Sequence, residues 1–297
     1  MGYRELFTSP PLFFGGIQTD YDKADYVVLG VPLDATGTYR RGARFAPLAI
    51  REASLNIETY SFRSGIDLEE LRLQDLGDLH VTGDVEETLR RVDLVTREIY
   101  NDGKFPILIG GEHTITLGAM RAFDKNTTVL SFDAHLDLRN EFMGQTICHA
   151  TLMRRIADTV KPKGIIEVGT RAVCREEVDY AENSNILFFT SQYIMEHRVE
   201  DTAQEILKLL GGYDRLYLTI DMDILDPAFA PAVQNPEPDG LSTHLLLNLL
   251  CEICSRRIDA FDIVEVTPHY DSGVTALQAA RIINELLCLI ERERRKL

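Results

Sequence analysis

The stretch TTVLSFDAHLD (127–137) changes character halfway along. Thr127 to Phe132 is a short β-branched and apolar run, which reads as a buried strand. Asp133, His135 and Asp137 then follow at alternate positions. In extended chain, alternate residues point to one side, so all three can face one point. The same switch recurs elsewhere. FPILIGGEH (105–113) is a buried strand that ends in a glycine pair, Glu112 and His113. RLYLTIDMDILD (215–226) runs into Asp221 and Asp223, and AFDIVEVTP (260–268) runs into Glu265.

Further strands are read at YVVLGVP (26–32), GIIEVGT (164–170) and NILFF (185–189). Amphipathic helical segments alternate with them: AIREAS after Pro47, VEETLRRVDLVTREIY (85–100), TITLGAMRAF (114–123), ATLMRRIADTV (150–160), TAQEILKLL (202–210), STHLLLNLLCEIC (242–254) and a last helix from about 273 to 293. Helical crossovers between continuous apolar strands imply an α/β fold with a mainly parallel sheet covered on both faces. In such sheets the functional groups sit beyond the C-terminal ends of the strands. If the four strands that end in acids and imidazoles are parallel neighbours, those groups converge on one edge. No linker, low-complexity tract or internal repeat interrupts the pattern, so residues 1–297 read as a single domain.

The formal net charge is -16. Such a surface repels polyanions, which argues against nucleic acid and anionic membrane as partners and favours a cationic substrate or metal ions. No stretch approaches the roughly 18 apolar residues that span a bilayer. The N-terminal MGYRELFTSPPLFFGG lacks the build of a signal peptide, so a cytoplasmic protein is expected. The five cysteines are odd in number and scattered, which argues against a disulfide framework. Cys251 and Cys254 form a CxxC inside an apolar helix, with no second pair to complete a metal site.

His113, Asp133, His135, Asp137, Asp221 and Asp223 together offer four carboxylates and two imidazoles. Crowded in one pocket, such groups repel unless some protonate or two divalent cations neutralise them. The set is rich in oxygen and has no thiolate, which suits Mn²⁺ better than structural zinc. Two cations close together can share a water and lower its pKa, so the expected reaction class is metal-assisted hydrolysis of a planar group such as an amide, ester or guanidinium. Neither a GxSxG elbow nor a GxxxxGK[ST] loop is present, which sets aside serine-hydrolase and P-loop chemistry. A lone Asp after a strand is ordinarily a cap or turn residue. Separate caps do not explain the joint pattern.

Four segments, GGEHTITLG (110–118), SFDAHLDLR (131–139), TIDMDILDPAFAP (219–231) and VEVTPHYD (264–271), resemble the ureohydrolases, the arginase/agmatinase family, in order and spacing. GVPLDATGTYRRGARFAPLAIREAS (30–54) is similar to the N-terminal block of agmatinase-like members, so the resemblance covers nearly the whole chain. It implies a three-layer α/β/α arginase-like fold and two Mn²⁺ ions per subunit. By motif, His113, Asp133, Asp137 and Asp221 would hold one ion, and Asp133, His135, Asp221 and Asp223 the other. His149, in ICHATLMRR, stands in the place of the proton-shuttle histidine. Glu265 matches the acid that clamps the guanidinium in a paired, charge-assisted contact. The implied partner is a small cationic guanidino substrate, read as agmatine converted to putrescine and urea in polyamine biosynthesis. A homo-oligomer, trimer or hexamer, is also implied.

The chain departs from the family pattern in three places. Arg139 stands where arginase-like members carry an Asn; it could equally meet a carboxylate, which would suit a guanidino acid such as 4-guanidinobutyrate. AVQNPEPDG (232–240) replaces a glycine-rich GTGTPEPGG-like stretch and puts Gln234 and Asn235 near the substrate. GGEH replaces the commoner GGDH, which leaves the histidine intact. The alternatives are hydrolysis of guanidinobutyrate, guanidinopropionate or arginine, a non-catalytic metal-binding regulator, and a zinc deacetylase on the related fold. For His149 and Glu265 the plainer readings are a helix cap and a buried ion pair. Asp271 reads equally as a helix N-cap.

Overall fold

A computed structural model describes residues 2–9, 12–212, 215–254 and 257–296. The strands, in chain order, are β1 (Thr8–Ser9), β2 (Tyr26–Val31), β3 (Tyr60–Ser61), β4 (Ile66–Asp67), β5 (Leu73–Leu79), β6 (Phe105–Gly110), β7 (Thr127–Phe132), β8 (Gly164–Thr170), β9 (Leu187–Thr190), β10 (Arg215–Asp221) and β11 (Ala260–Val264). Nine of them form one sheet in the order β1-β5-β2-β6-β11-β10-β7-β8-β9, and β3 and β4 pair separately. The short β1 runs antiparallel to β5 at the edge; the other eight strands are parallel.

Both faces of the sheet are covered, which is why its strands are apolar throughout rather than alternating. Tyr26 and Val28 of β2 pack under the layer that includes helices Ala46–Ser54, Val199–Leu210, Thr243–Ile253 and Val274–Arg294. Val27, Leu29 and Val31 of the same strand point to the opposite core, beneath Val85–Asn101, Ile115–Met120, Leu152–Arg155 and Arg175–Asn183. The result is a three-layer α/β/α arrangement. Val85–Asn101 illustrates the local logic. Asp84 caps it by accepting from the Glu87 N–H at 3.2 Å, and Leu89, Val92, Val95 and Ile99 form one buried stripe. Burying each such side chain is worth roughly 1.5–3 kcal/mol.

Three elements differ from the reading of the sequence. β5, LQDLGDL, is the strand next to the short edge strand β1, and its acids break the apolar pattern. The structure explains them: Asp75 is buried against the equally buried Arg51. A helix at Arg175–Asn183 joins β8 to β9, where the sequence reads as two successive strands. Its buried side chains are few, Glu177 and Ala181, so it carries almost no hydrophobic signal. The segment ATLMRRIADTV is one short α-turn at Leu152–Arg155, then a π-turn at Ile156–Val160 that Lys161 ends in the left-handed region. All five cysteines are free. Among the described residues, no helix is long and apolar enough to cross a membrane.

Candidate active site and metal centre

Strands β6, β11, β10 and β7 are consecutive neighbours in the sheet. The four polar strand ends therefore meet at its C-terminal edge, where open α/β sheets place their ligands. Asp133 follows β7, Asp221 closes β10, Glu265 follows β11 and His113 lies three residues past β6. Gly111 lets the last of these approach. A Cβ there would lie 1.9 Å from the Leu33 carbonyl oxygen, so only glycine permits the close crossing of the β6 and β2 ends.

The groups do not converge by extended alternation, as the sequence suggests. The chain leaves the strand at Phe132, and Asp137 adopts φ 51°; Met222–Ile224 is a turn of 3₁₀ helix. Hydrogen bonds to the backbone supply the aim instead. Asp133 Oδ1 accepts from the His135 N–H at 2.6 Å, Asp221 Oδ1 from the Asp223 N–H at 2.8 Å, and Asp223 Oδ1 from the Ala134 N–H at 3.1 Å. Each carboxylate thus ties one oxygen to the chain and turns the other to the centre. Asp137 and Glu265, at φ 51° and 72°, are both held in a conformation that costs a non-glycine residue about 1–3 kcal/mol.

Nδ1 of His113 faces Asp133 Oδ2 at 3.0 Å, Asp137 Oδ2 at 3.2 Å and Asp221 Oδ2 at 3.4 Å, yet hydrogen-bonds to none of them. Nδ1 of His135 lies 3.1 Å from Asp223 Oδ2 and 3.5 Å from Asp133 Oδ1. Two groups of donors, His113–Asp133–Asp221 and Asp133–His135–Asp223, are each close enough to hold one ion, and Asp133 belongs to both. Asp137 adjoins the first. Burial, then the Asp133 charge, pushes the Asp137 carboxyl up to about 7. Asp221 is likewise pushed well up, by burial and then by Asp223 and Asp133. Acids that must hold protons to coexist are the electrostatic mark of a cation site. The donor set, oxygen-rich with two imidazoles, fits two divalent cations.

A cavity of about 410 Å³ opens over this centre, lined among others by His113, His135, His149, Glu265, Arg139 and Glu237. Glu265 is 2% exposed; its Oε1 accepts from the His113 N–H at 2.5 Å, while Oε2 has no hydrogen-bond partner. His149 begins a short 3₁₀ turn, Nε2 3.4 Å from Thr38 Oγ1 and Nδ1 3.5 Å from Thr36 Oγ1. Burial, followed by the positive charges of His135 and His113, lowers its pKa to about 4. The ring is therefore neutral at pH 7. Glu112, the departure from GGDH, accepts from the Ala35 and Thr36 N–H groups and the Thr36 hydroxyl, each at 2.8 Å, and so pins this loop beside His149.

Of the two residues singled out in 232–240, Asn235 lines the cavity and Gln234 does not. Gln234 is fully buried against Gly37, where a Cβ would lie 2.1 Å from its Oε1. Sequence reasoning missed Glu237, 3.9 Å from His135 Nε2, and Arg171. The Arg171 guanidinium donates to the carbonyls of Asp223 and Glu237 at 2.6 and 2.8 Å and staples the two loops together. The acid in NPEPDG was the available signal for Glu237; Arg171 had none. The N-cap of the last helix is Gly273 rather than Asp271, which lies two residues earlier and accepts from the Gly273 and Thr275 N–H groups at 2.7 and 2.8 Å.

Comparison with known proteins agrees with this geometry. The sequence profile of the arginase family matches residues 24–288. An agmatinase from Halalkalibacterium halodurans is 34% identical, covering 91% of this chain and 93% of its own. The N(1)-aminopropylagmatine ureohydrolase of Thermococcus kodakarensis is 35% identical over 88% and 89% of the two chains. The crystal structure of the agmatine ureohydrolase of Thermoplasma volcanium superposes with a TM-score of 0.88 at 37% identity, over 94% of each chain. A profile that spans most of the sequence, and relatives aligned over nearly their whole length, show that the chain belongs to the arginase family and is a ureohydrolase.

Proposed function

We propose that the chain hydrolyses agmatine to putrescine and urea, a step of polyamine biosynthesis, with two Mn²⁺ ions at the strand ends. His113, Asp133, Asp137 and Asp221 would hold one ion, and Asp133, His135, Asp221 and Asp223 the other. Two such cations supply hydroxide at neutral pH and offset the charge of the acids. Glu265 lines the cavity with its Oε2 unpaired, and there it would bind the guanidinium by a charge-assisted bond and orient its carbon. His149 is neutral at pH 7, so it first takes up a proton and then hands it to the departing alkyl nitrogen. One water adds to the guanidinium carbon, one C–N bond breaks, and urea and a diamine leave.

The tail of the substrate is read from the outer cavity. Arg139 is the only Lys or Arg among the lining residues described, and its Nε already lies 3.8 Å from Glu177 Oε2 with its guanidinium over the Phe142 ring. Glu237, with His135 Nε2 at 3.9 Å, faces no Lys or Arg of the lining other than Arg139 and is 40% exposed. That balance favours an ammonium tail over a carboxylate and so favours agmatine over 4-guanidinobutyrate. The test is urea release from agmatine, arginine, 4-guanidinobutyrate and 3-guanidinopropionate by the Mn²⁺-loaded protein. Agmatine should be preferred. Preference for a guanidino acid would sink the reading of the tail, and no urea from any of them would sink the enzyme reading.

A further inference from the structure

A buried carboxylate lies one layer beneath the centre and reaches one of its histidines through a hydroxyl. Asp262 of β11 is in register with Thr219 of β10, and both are fully buried. Three hydroxyls donate to Asp262: Tyr217 OH at 2.6 Å, Thr116 Oγ1 at 2.7 Å and Thr219 Oγ1. A threonine hydroxyl carries one proton. That of Thr219 is spent on Asp262, and so is that of Thr116, 3.4 Å from Thr219 Oγ1. Thr219 Oγ1 therefore presents only lone pairs to His113 Nε2, 3.0 Å away, and this nitrogen must carry the ring hydrogen. As a metal ligand the imidazole is neutral and has one such hydrogen, so Nδ1 keeps its lone pair. Nδ1 is the atom that faces Asp133, Asp137 and Asp221.

We propose that Asp262, acting through Thr219, is a positioning residue that fixes the tautomer and aim of His113 so that Nδ1 is presented to a divalent cation. The inference rests on the dinuclear reading above. A ligand imidazole held at its other nitrogen typically loses 10–100-fold in metal affinity when that partner is removed (roughly, across such sites). Asp262→Ala removes the acceptor of the Thr219 proton, which is then free to turn toward Nε2 and select the wrong tautomer.

The experiment titrates Mn²⁺ into the metal-free full-length chain and reads the number of sites and the Kd of each. The wild type should show two sites. Thr219→Val keeps the shape and removes both bonds; one site should weaken by about 10–100-fold. Thr219→Ser should restore it. Asp262→Ala should weaken the same site, whereas Tyr217→Phe, which takes one donor from Asp262 but leaves the path to His113, should leave both sites as they are. If Asp262→Ala fails to fold, the Thr219→Val and Thr219→Ser pair decides alone. Wild-type Mn²⁺ binding by folded Thr219→Val overturns the relay and leaves the dinuclear reading standing. Failure of the wild type to take up two ions overturns both.

Discussion

Two buried clusters of charge in this chain are built to opposite specifications. Around Arg51 every charge is answered. Its Nε and Nη2 fork onto Asp75 at 2.7 and 2.8 Å, its Nη1 meets Asp78 at 2.5 Å, and Nη2 also donates to the Gly77 carbonyl. Asp75 in turn accepts from the Phe14 and Gly77 N–H groups, both at 2.9 Å. At the strand ends the account is left open. Five acids crowd two imidazoles, His113 Nδ1 and Glu265 Oε2 lack hydrogen bonds, and two residues stand in left-handed conformations. Both clusters are buried and both join distant segments. Burial of charge alone therefore does not mark a functional site; burial with unmet valence does.

The contrast can be broken most forcefully at Asp133. Asp133→Ala should cut urea formation at least ten-thousandfold, about 5–6 kcal/mol of transition-state stabilisation, with a smaller effect on the stability of the metal-free protein, because the contacts to His113 and His135 that hold its carboxyl low are lost while Asp137 and Asp221 are freed of a neighbouring charge. Arg51→Ala should do the reverse. It strands Asp75 and should cost about 3–5 kcal/mol in denaturant unfolding, with activity per folded molecule unchanged. Equal loss of stability in the two variants would erase the distinction.

Smaller effects sharpen it. Mn²⁺ at about a hundred times its Kd should stabilise the wild type by about 2.7 kcal/mol per site, read as a rise in Tm that chelation reverses and Asp133→Ala lacks. The metal-free protein should also show a pH signature. Asp137 moves from its ordinary 3.8 to about 7 on folding, by burial first and the Asp133 charge second. Over that interval the folded state holds a proton that the unfolded chain has released. Its stability is therefore fully present below about pH 4 and is lost as pH rises towards 7, at up to about 1.4 kcal/mol per pH unit for this one group. Bound Mn²⁺ should flatten that slope, measured as denaturation midpoints at several pH values.

How much of this was legible in the sequence follows from the same contrast. The open cluster announced itself, because four apolar runs stop abruptly at acids or imidazoles and a parallel sheet brings such ends together. The closed cluster hid, because Asp75 and Asp78 break the apolar pattern of β5 and their partner Arg51 lies on a helix more than 20 residues earlier. Asp137 and His135 were legible as members of the site but not in the way they reach it, since a left-handed residue leaves no mark in spacing. Glu237 and Arg171 depend on two loops meeting, which only the fold decides. Thr36, Thr38 and the Asp262–Thr219 path were out of reach for a plainer reason: a threonine in or near a strand reads as β-propensity, and its proton direction needs coordinates.

The central claim is that the crowded strand ends would hold two divalent cations, with Asp133 among the residues that would hold each. Crystals soaked in Mn²⁺ and measured near the manganese absorption edge test it directly. The account predicts two anomalous peaks, one among His113, Asp133, Asp137 and Asp221 and one among Asp133, His135, Asp221 and Asp223. No peak there, or a single one that does not touch Asp133, would contradict it.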